Sequence, residues 1–308
     1  MTVSTRHVLE HGPMLRALGS AALSALRGAR AHRTPEVPGP WIEGRAAAPS
    51  RALVDDFVRA TGGDPGSYRG VLPPQLFPQW TLATASRALG GLPYPIAKVV
   101  NAGCRLEIRG PVPAGEPLVV RARLAAVDET ESRVVLSTRI ETGVAAAPDA
   151  LVAELRAYVP LGGARKPGPP SGPPLVIPAG ARELARPRLA ATAGLDFAKL
   201  TGDFNPIHWI APYARAAGFR SCILHGFGTF ALAASAIVRT QLAGDAGRLE
   251  LLDVRFTRPL VLPATVGVYV TAAGDASLPS DARRHVFVGD APNSAPYLAG
   301  TYQIGDAP

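Results

Sequence analysis

An internal repeat limits the folds that this chain can adopt. The segment FVRATGGDPGSY (57–68) aligns without a gap with FAKLTGDFNPIH (197–208), so that a phenylalanine, a threonine and a glycine recur at matching positions. Each copy is followed by an apolar stretch that is long enough for a central helix, at 75–89 and at 226–242. A repeat that returns in the same order along the chain predicts two copies of one folded unit.

The region after each predicted helix has the pattern of antiparallel strands. A strand, a proline-bearing turn and a second strand are predicted within 104–124 and again within 252–272. Alternation and β-branched residues predict two further strands in each half, at 132–141 and 150–159 and then at 284–290 and 296–304. Each half is therefore a short opening element, one buried helix and about four strands. A sheet wrapped around one helix fits this inventory and gives an α+β fold.

Length and composition support two domains with a linker between them. The chain has 308 residues, of which 47% are hydrophobic and 18% are charged, so it can bury a sizeable core. LGGARKPGPPSGPP (161–174) is too rich in proline and glycine for regular structure and is typical of a surface linker. We therefore predict a first domain at 46–160 and a second at 175–308. Residues 1–45 form an extension with no counterpart in the repeat.

The extension is expected to contain an amphipathic helix, because apolar residues recur at helical spacing within 8–27. Glu10, Arg16 and Gly19 interrupt the apolar run that a secretory signal peptide requires. No apolar run approaches the ~18 residues that span a bilayer, so stable membrane insertion is not expected, although weak contact with a membrane surface stays open. The two cysteines, Cys104 and Cys222, are too few for a disulfide framework in a chain this long. A reducing, cytoplasmic location is predicted.

The formal net charge of +8 favours an anionic partner. The chain has no run of Lys and Arg, no zinc-finger spacing and no aromatic residues between its scattered arginines, so nucleic acid is not expected. A small ligand that carries phosphate is easier to accommodate. The six histidines do not lie at metal-ligand spacing from cysteines or carboxylates, and no metal site is predicted.

Asp203 and His208 are the candidate acid/base pair. A separation of five residues would place them about 140° apart on a continuous helix, and their side chains would not converge. Asn205 precedes Pro206, however, and this pair is suited to cap and begin a new short helix. His208 would then lie in the first helical turn, with Asp203 on the loop before it. The positive end of the helix would favour a neutral imidazole, which can accept a proton.

Two further observations bear on this pair. The first copy of the repeat has Gly63 and Tyr68 at the matching positions, so only the second half can carry the chemistry. The alternative is a polar turn in which His208 packs beneath Trp209. Gly226 begins the apolar segment that follows, and an unpaired N–H at a helix start can stabilise a developing oxyanion. A glycine there can also serve only to permit a tight turn.

The stretch FAKLTGDFNPIHWIAPYA, from Phe197 to Ala214, resembles the signature of the MaoC-like (R)-specific enoyl-CoA hydratase and 3-hydroxyacyl-thioester dehydratase family. The likeness comprises the aromatic start, the small-Gly-Asp core, the Asn-Pro-aliphatic-His run and the later small residue. The resemblance implies a double hotdog fold, in which two long helices are each wrapped by an antiparallel sheet. It also implies reversible, cofactor-free addition of water to a trans-2-enoyl thioester, which gives the (R)-3-hydroxyacyl thioester.

Carried onto this sequence, the resemblance gives each site residue a role. Asp203 and His208 would hold and activate the water, and Gly226 would polarise the thioester carbonyl. The loop would be shaped by Gly202, Asn205 and Pro206. The first half would be degenerate and would leave room for a longer acyl chain, which the apolar segment PPQLFPQW (73–80) could line if it does not simply form core.

The partners follow from the same resemblance. The substrate carrier would be coenzyme A or an acyl carrier protein, with no further cofactor. A homodimer is compatible with the sequence, although two hotdog units in one chain could already form the usual pair. Two other functions stay open: thioester hydrolysis on the same fold, and acyl-thioester binding without catalysis.

Overall fold

The structure is a computed structural model that describes residues 3–12, 35–94, 99–161, 174–271 and 284–306. The α-helices are α1 (Arg51–Ala60), α2 (Pro78–Ala88), α3 (Ala193–Thr201), α4 (Ala211–Ala216) and α5 (Gly226–Gln241). The strands of the first half are β1 (Ile42–Ala46), β2 (Val100–Ile108), β3 (Leu118–Glu129), β4 (Arg133–Val144) and β5 (Ala147–Pro160). Those of the second half are β6 (Arg182–Ala185), β7 (Arg188–Leu189), β8 (Leu249–Phe256), β9 (Ala264–Thr265), β10 (Gly267–Val270), β11 (Arg284–Gly289) and β12 (Leu298–Ile304).

Ten of these strands form one antiparallel sheet, in the order β1-β3-β4-β5-β2-β8-β12-β11-β10-β6. The first five strands belong to the first half of the chain and the other five to the second half. Read from the centre of the sheet outwards, both halves have equivalent strands in the same order, β2-β5-β4-β3-β1 and β8-β12-β11-β10-β6. The halves join where β2 pairs with β8, with Leu106 opposite Leu252. The chain is therefore a double hotdog, and the predicted α+β class is confirmed.

The two copies of the repeat meet across the centre of the molecule. The rings of Phe57 and Phe197, which match in the alignment, have centroids 6.1 Å apart. Helices α1 and α3 both end at a threonine-glycine pair, and Gly62 and Gly202 both have φ of 79°. Glycine adopts this left-handed conformation without steric cost, which ends each helix in the same way.

The central helices carry the core. All residues of α5 from 227 to 238 are buried, as expected for a helix that is apolar on every side. The first-half helix predicted at 75–89 is divided into a 3-10 turn, Pro74–Leu76, and α2, because Pro78 takes the first position of a new helix. Leu76 and Phe77 are fully buried, and Phe77 packs edge-on against Phe227. PPQLFPQW therefore forms core.

The N-terminal boundary predicted at residue 46 is wrong. Strand β1 begins at Ile42 and pairs with β3, so the first hotdog unit includes the end of the predicted extension. Trp41 lies just before this strand, and the guanidinium groups of Arg121 and Arg123 stack on its ring at 4.6 and 4.4 Å. Each half accordingly contributes five strands to the large sheet, where about four were predicted.

Other predictions for the extension and the linker are tested only in part. Thr5–His11 is a 3-10 helix, and the remainder of the amphipathic helix predicted within 8–27 lies outside the described residues. Most of the linker predicted at 161–174 also lies outside them. Within the described ranges, none of the helices combines the length and the apolar character that a bilayer crossing needs.

Candidate active site

A short loop after α3 carries Asp203. Gly202 reverses the chain direction, and the Asp203 carboxylate accepts a hydrogen bond from the Asn205 N–H at 3.3 Å. The Asn205 side chain in turn accepts from the Ile207 N–H at 3.3 Å, and a 3-10 turn, Pro206–His208, follows. The predicted cap at Asn205 is therefore present, and it turns the chain so that Asp203 and His208 lie on the same side.

His208 is held in one tautomer by the backbone. Its Nδ1–H donates to the carbonyl oxygen of Ile223 at 2.9 Å, so Nε2 carries the lone pair. Burial lowers the pKa of His208 below its ordinary value, and the nearby Asp203 carboxylate opposes the shift only in part. This direction agrees with the neutral imidazole that the sequence predicted. Its cause is burial, because the 3-10 turn has only three residues and offers little helix dipole.

His225 is the site residue whose role the sequence did not reveal. Its ring stacks on that of His208, with centroids 3.6 Å apart and planes at 25°. Its Nε2–H donates to the Asp203 carbonyl oxygen at 2.9 Å and lies 3.9 Å from Asp203 Oδ2. Trp209, which the alternative placed over His208, is 39% exposed, and its indole N–H donates to the Phe204 carbonyl at 3.1 Å. The only sequence signal was the position of His225 directly before Gly226.

Asp203, His208 and His225 each place one carboxylate oxygen or ring nitrogen within 4.8 Å of those of the other two. Along the sequence these histidines lie 17 residues apart and gave no ligand pattern, but the fold brings them together with the carboxylate. Two imidazoles and a carboxylate are ligand types that Zn²⁺ and similar ions accept. They are equally the groups of acid/base catalysis. The absence of a metal therefore stays a prediction.

Gly226 is the first residue of α5, as the sequence predicted. Its N–H has no acceptor among the described residues, which is the normal state of the first N–H groups of a helix. A Cβ atom at this position would lie 2.8 Å from the ring of Phe256, so glycine is also needed for that packing. The helix start can thus present an N–H to a carbonyl oxygen next to His225.

The matching region of the first half lacks these groups. Tyr68 stands where His208 stands in the second half, and burial raises its pKa to about 12. Its hydroxyl accepts a hydrogen bond from the Gln75 side chain at 2.9 Å. The acid/base groups are therefore confined to the second half.

Comparison with known proteins agrees with this division. A family model described as the MaoC-like domain matches residues 183–287. This segment of the second half is therefore similar to the MaoC-like domain family. The crystal structure of HtdX from Mycobacterium tuberculosis has a TM-score of 0.66 and 20% sequence identity, covering 86% of this chain and all of that one. A conserved hypothetical protein of the same organism, described as a double hotdog, has a TM-score of 0.59 and 14% identity over 87% of this chain and 96% of its own.

Curated relatives match shorter segments. Enoyl-CoA hydratase ChsH3 of Mycobacterium tuberculosis is 32% identical over 174 residues, which is 54% of this chain and 58% of that protein. The 3-hydroxyacyl-thioester dehydratase X of the same organism is 37% identical over 115 residues, or 37% of each chain. Mouse peroxisomal multifunctional enzyme type 2 is 37% identical over 62 residues, 20% of this chain and 8% of its own length. The alignments thus span less than two thirds of these relatives.

The shared fold does not decide the reaction. The structure of an oleoyl thioesterase (putative) from Lactobacillus plantarum has a TM-score of 0.51 and 12% identity, covering 87% of this chain and 97% of its own. A protein with a thioesterase name and HtdX therefore both resemble this chain in architecture, and the reaction must be inferred from the side chains of the site.

Proposed function

We propose that this protein catalyses the reversible addition of water to trans-2-enoyl thioesters to give (R)-3-hydroxyacyl thioesters. The supporting observation is the convergence of Asp203 and neutral His208, whose Nε2 carries a lone pair, within 4.8 Å. The names of the relatives, an enoyl-CoA hydratase and a 3-hydroxyacyl-thioester dehydratase, point to the same chemistry.

Hydration of a conjugated thioester requires two proton transfers and one charged oxygen. The water oxygen bonds to C3 as its proton passes to the acid/base pair, and the electrons of the C2–C3 double bond move toward the thioester carbonyl. A proton from the pair then bonds to C2, and the carbonyl is restored. Asp203 and His208 hold the water and carry the protons, while the Gly226 N–H stabilises the enolate-like oxygen.

The two halves have different tasks in this proposal. The second half supplies the reacting groups, and the first half accommodates the acyl chain without taking part in proton transfer. The thioester is carried by coenzyme A or by a carrier protein, and both carriers present phosphate to a chain with a formal charge of +8. The reaction needs no further cofactor. A cytoplasmic location and a homodimer stay predictions.

The experiment separates the three functions that the sequence leaves open. Purified protein is mixed with trans-2-enoyl-CoA of short and long chain, and the conjugated absorbance and the free thiol are followed in parallel. Hydration predicts that the absorbance falls without release of thiol and that chiral analysis finds the (R)-3-hydroxyacyl product. Release of thiol with the double bond intact would instead assign thioester hydrolysis.

Binding without turnover has two explanations that a second substrate distinguishes. The same enoyl groups are offered on an acyl carrier protein. Turnover of these substrates alone would keep the hydratase proposal and identify the carrier. Binding of both forms with turnover of neither would contradict the proposal and favour an acyl-binding protein.

A further inference from the structure

His225 connects three parts of the candidate site. Its Nε2–H donates to the carbonyl of Asp203, its ring stacks on His208, and its own carbonyl is followed by the N–H of Gly226. It is 2% exposed, and the ring of Phe197 lies on it with centroids 4.9 Å apart.

The hydrogen bond from His225 differs from the others in the loop that carries Asp203, because its two residues are far apart in the sequence. The other hydrogen bonds of residues 202–205 stay within 198–209 in the described part of the chain. The bond to His225 therefore joins this loop to the start of α5. The following turn is tied to the segment before α5 by two other hydrogen bonds, from His208 Nδ1–H to the Ile223 carbonyl and from the Ile223 N–H to the Ile207 carbonyl.

Histidine is an unfavourable residue at this buried position unless it has a specific role. Its Nδ1 is buried and has no hydrogen-bond partner among the described residues. An unpaired buried polar atom is destabilising, and an aromatic hydrocarbon ring of similar size would not carry this cost. Burial also lowers the pKa of His225 to about 4, so the ring stays neutral near pH 7 and adds no charge beside His208.

We propose that His225 is a positioning residue, which fixes Asp203 and His208 relative to the Gly226 N–H through one hydrogen bond and one ring contact. The proposal rests on the proposed hydratase function. It assigns no proton transfer to His225, because its Nε2–H is engaged by a backbone carbonyl and its Nδ1 is enclosed.

Three substitutions separate the hydrogen bond from the ring contact. His225→Gln places an amide N–H near the position of Nε2, whereas His225→Asn places its amide near the position of Nδ1, too short to reach the Asp203 carbonyl. His225→Phe keeps a ring against His208 and removes the donor. The variants are compared with the wild-type protein in kcat, KM and Tm on an enoyl-CoA substrate.

The expected pattern is a change in kcat without a matching change in KM. His225→Asn and His225→Phe should lower kcat by about 10- to 100-fold, because a displacement of about 1 Å at a reacting group has effects of this size. His225→Gln should recover most of that loss. Wild-type kcat in His225→Phe, or equal losses of kcat in all three variants, would overturn the proposal.

NMR spectra, which need no substrate turnover, test the positioning role of His225 independently of the proposed hydratase function. In ¹H–¹⁵N spectra, the amide signals of residues 202–205 should shift or broaden in His225→Asn and His225→Phe but stay near their wild-type positions in His225→Gln. Unchanged signals in all variants would also overturn the proposal. If the wild-type protein hydrates no enoyl thioester, the proposed function fails while the loop signals still decide whether His225 positions Asp203.

Discussion

Gly194 packs against the backbone of His208, so a substitution at Gly194 tests the candidate site. It is the second residue of α3, and a Cβ atom there would lie 1.9 Å from the carbonyl oxygen of His208 and 3.0 Å from its carbonyl carbon. Atoms in ordinary contact are about 3.5–4.0 Å apart. Substitution by alanine therefore requires the His208 backbone or the start of α3 to move by roughly 1.5 Å.

The expected loss follows from this displacement. Movement of a reacting group by about 1 Å lowers the rate by about 100-fold. Strain from the added methyl group costs about 1–3 kcal/mol, and alanine recovers up to about 1 kcal/mol of helix propensity relative to glycine. We expect Gly194→Ala to lower kcat for hydration by about 100-fold and the free energy of unfolding by roughly 1–2 kcal/mol.

The assay compares Gly194→Ala with a matched control, Gly110→Ala. A Cβ atom at Gly110 would meet nothing within 4 Å, so this control should keep both kcat and Tm. Hydration is followed by the loss of enoyl absorbance, and stability by thermal and urea unfolding. Gly194→Ala with wild-type kcat and a raised Tm would refute the reasoning, since helix propensity alone would then describe the position.

Three further predictions concern burial, backbone conformation and metal binding. His225 has a pKa of about 4 in the folded protein against an ordinary value of 6.5, so the unfolded chain binds more protons between these values. Its contribution of roughly 3 kcal/mol is complete above pH 6.5 and is lost as the pH falls toward about 4. Urea unfolding should therefore depend less on pH in His225→Gln, and equal slopes in the two proteins would contradict this. Gly202→Ala and Gly62→Ala share a φ of 79°, but only at Gly202 would the new Cβ meet a side chain, that of His11 at 3.0–3.1 Å. Both variants should lose about 1 kcal/mol, and Gly202→Ala should lose more and also lower kcat; equal effects on both would exclude a contribution from His11. Removal of metals by chelation should leave kcat unchanged, whereas loss of activity that one added divalent ion restores would assign the cluster of Asp203 and the two histidines to a metal.

Local sequence patterns predicted the parts of the fold that depend on near neighbours. The repeat that begins at Phe57 and Phe197 indicated two equivalent units, and the Asn205-Pro206 pair predicted the turn that brings Asp203 and His208 to one side. Both depend on backbone preferences and on periodic burial, which short segments express by themselves.

Contacts between distant segments could not be predicted in the same way. Strand β1 is a short polar segment whose pairing with β3 is visible only in the folded sheet. His11 lies in the N-terminal 3-10 helix, yet its Nε2–H donates to the Lys199 carbonyl at 2.7 Å and its ring packs on Gly202. His225 shows the same limit, because its contacts with Asp203 and His208 arise from tertiary packing and not from spacing along the chain.

The most direct test of the central claim is kcat for trans-2-enoyl-CoA hydration in Asp203→Asn and His208→Ala beside the wild-type protein. Loss of an acid/base group typically lowers the rate by about 10²–10⁴-fold. We expect both variants to fall by at least that order, with Tm and binding of the thioester close to wild type. If either variant retains near wild-type kcat, Asp203 and His208 do not form the acid/base pair proposed for this site.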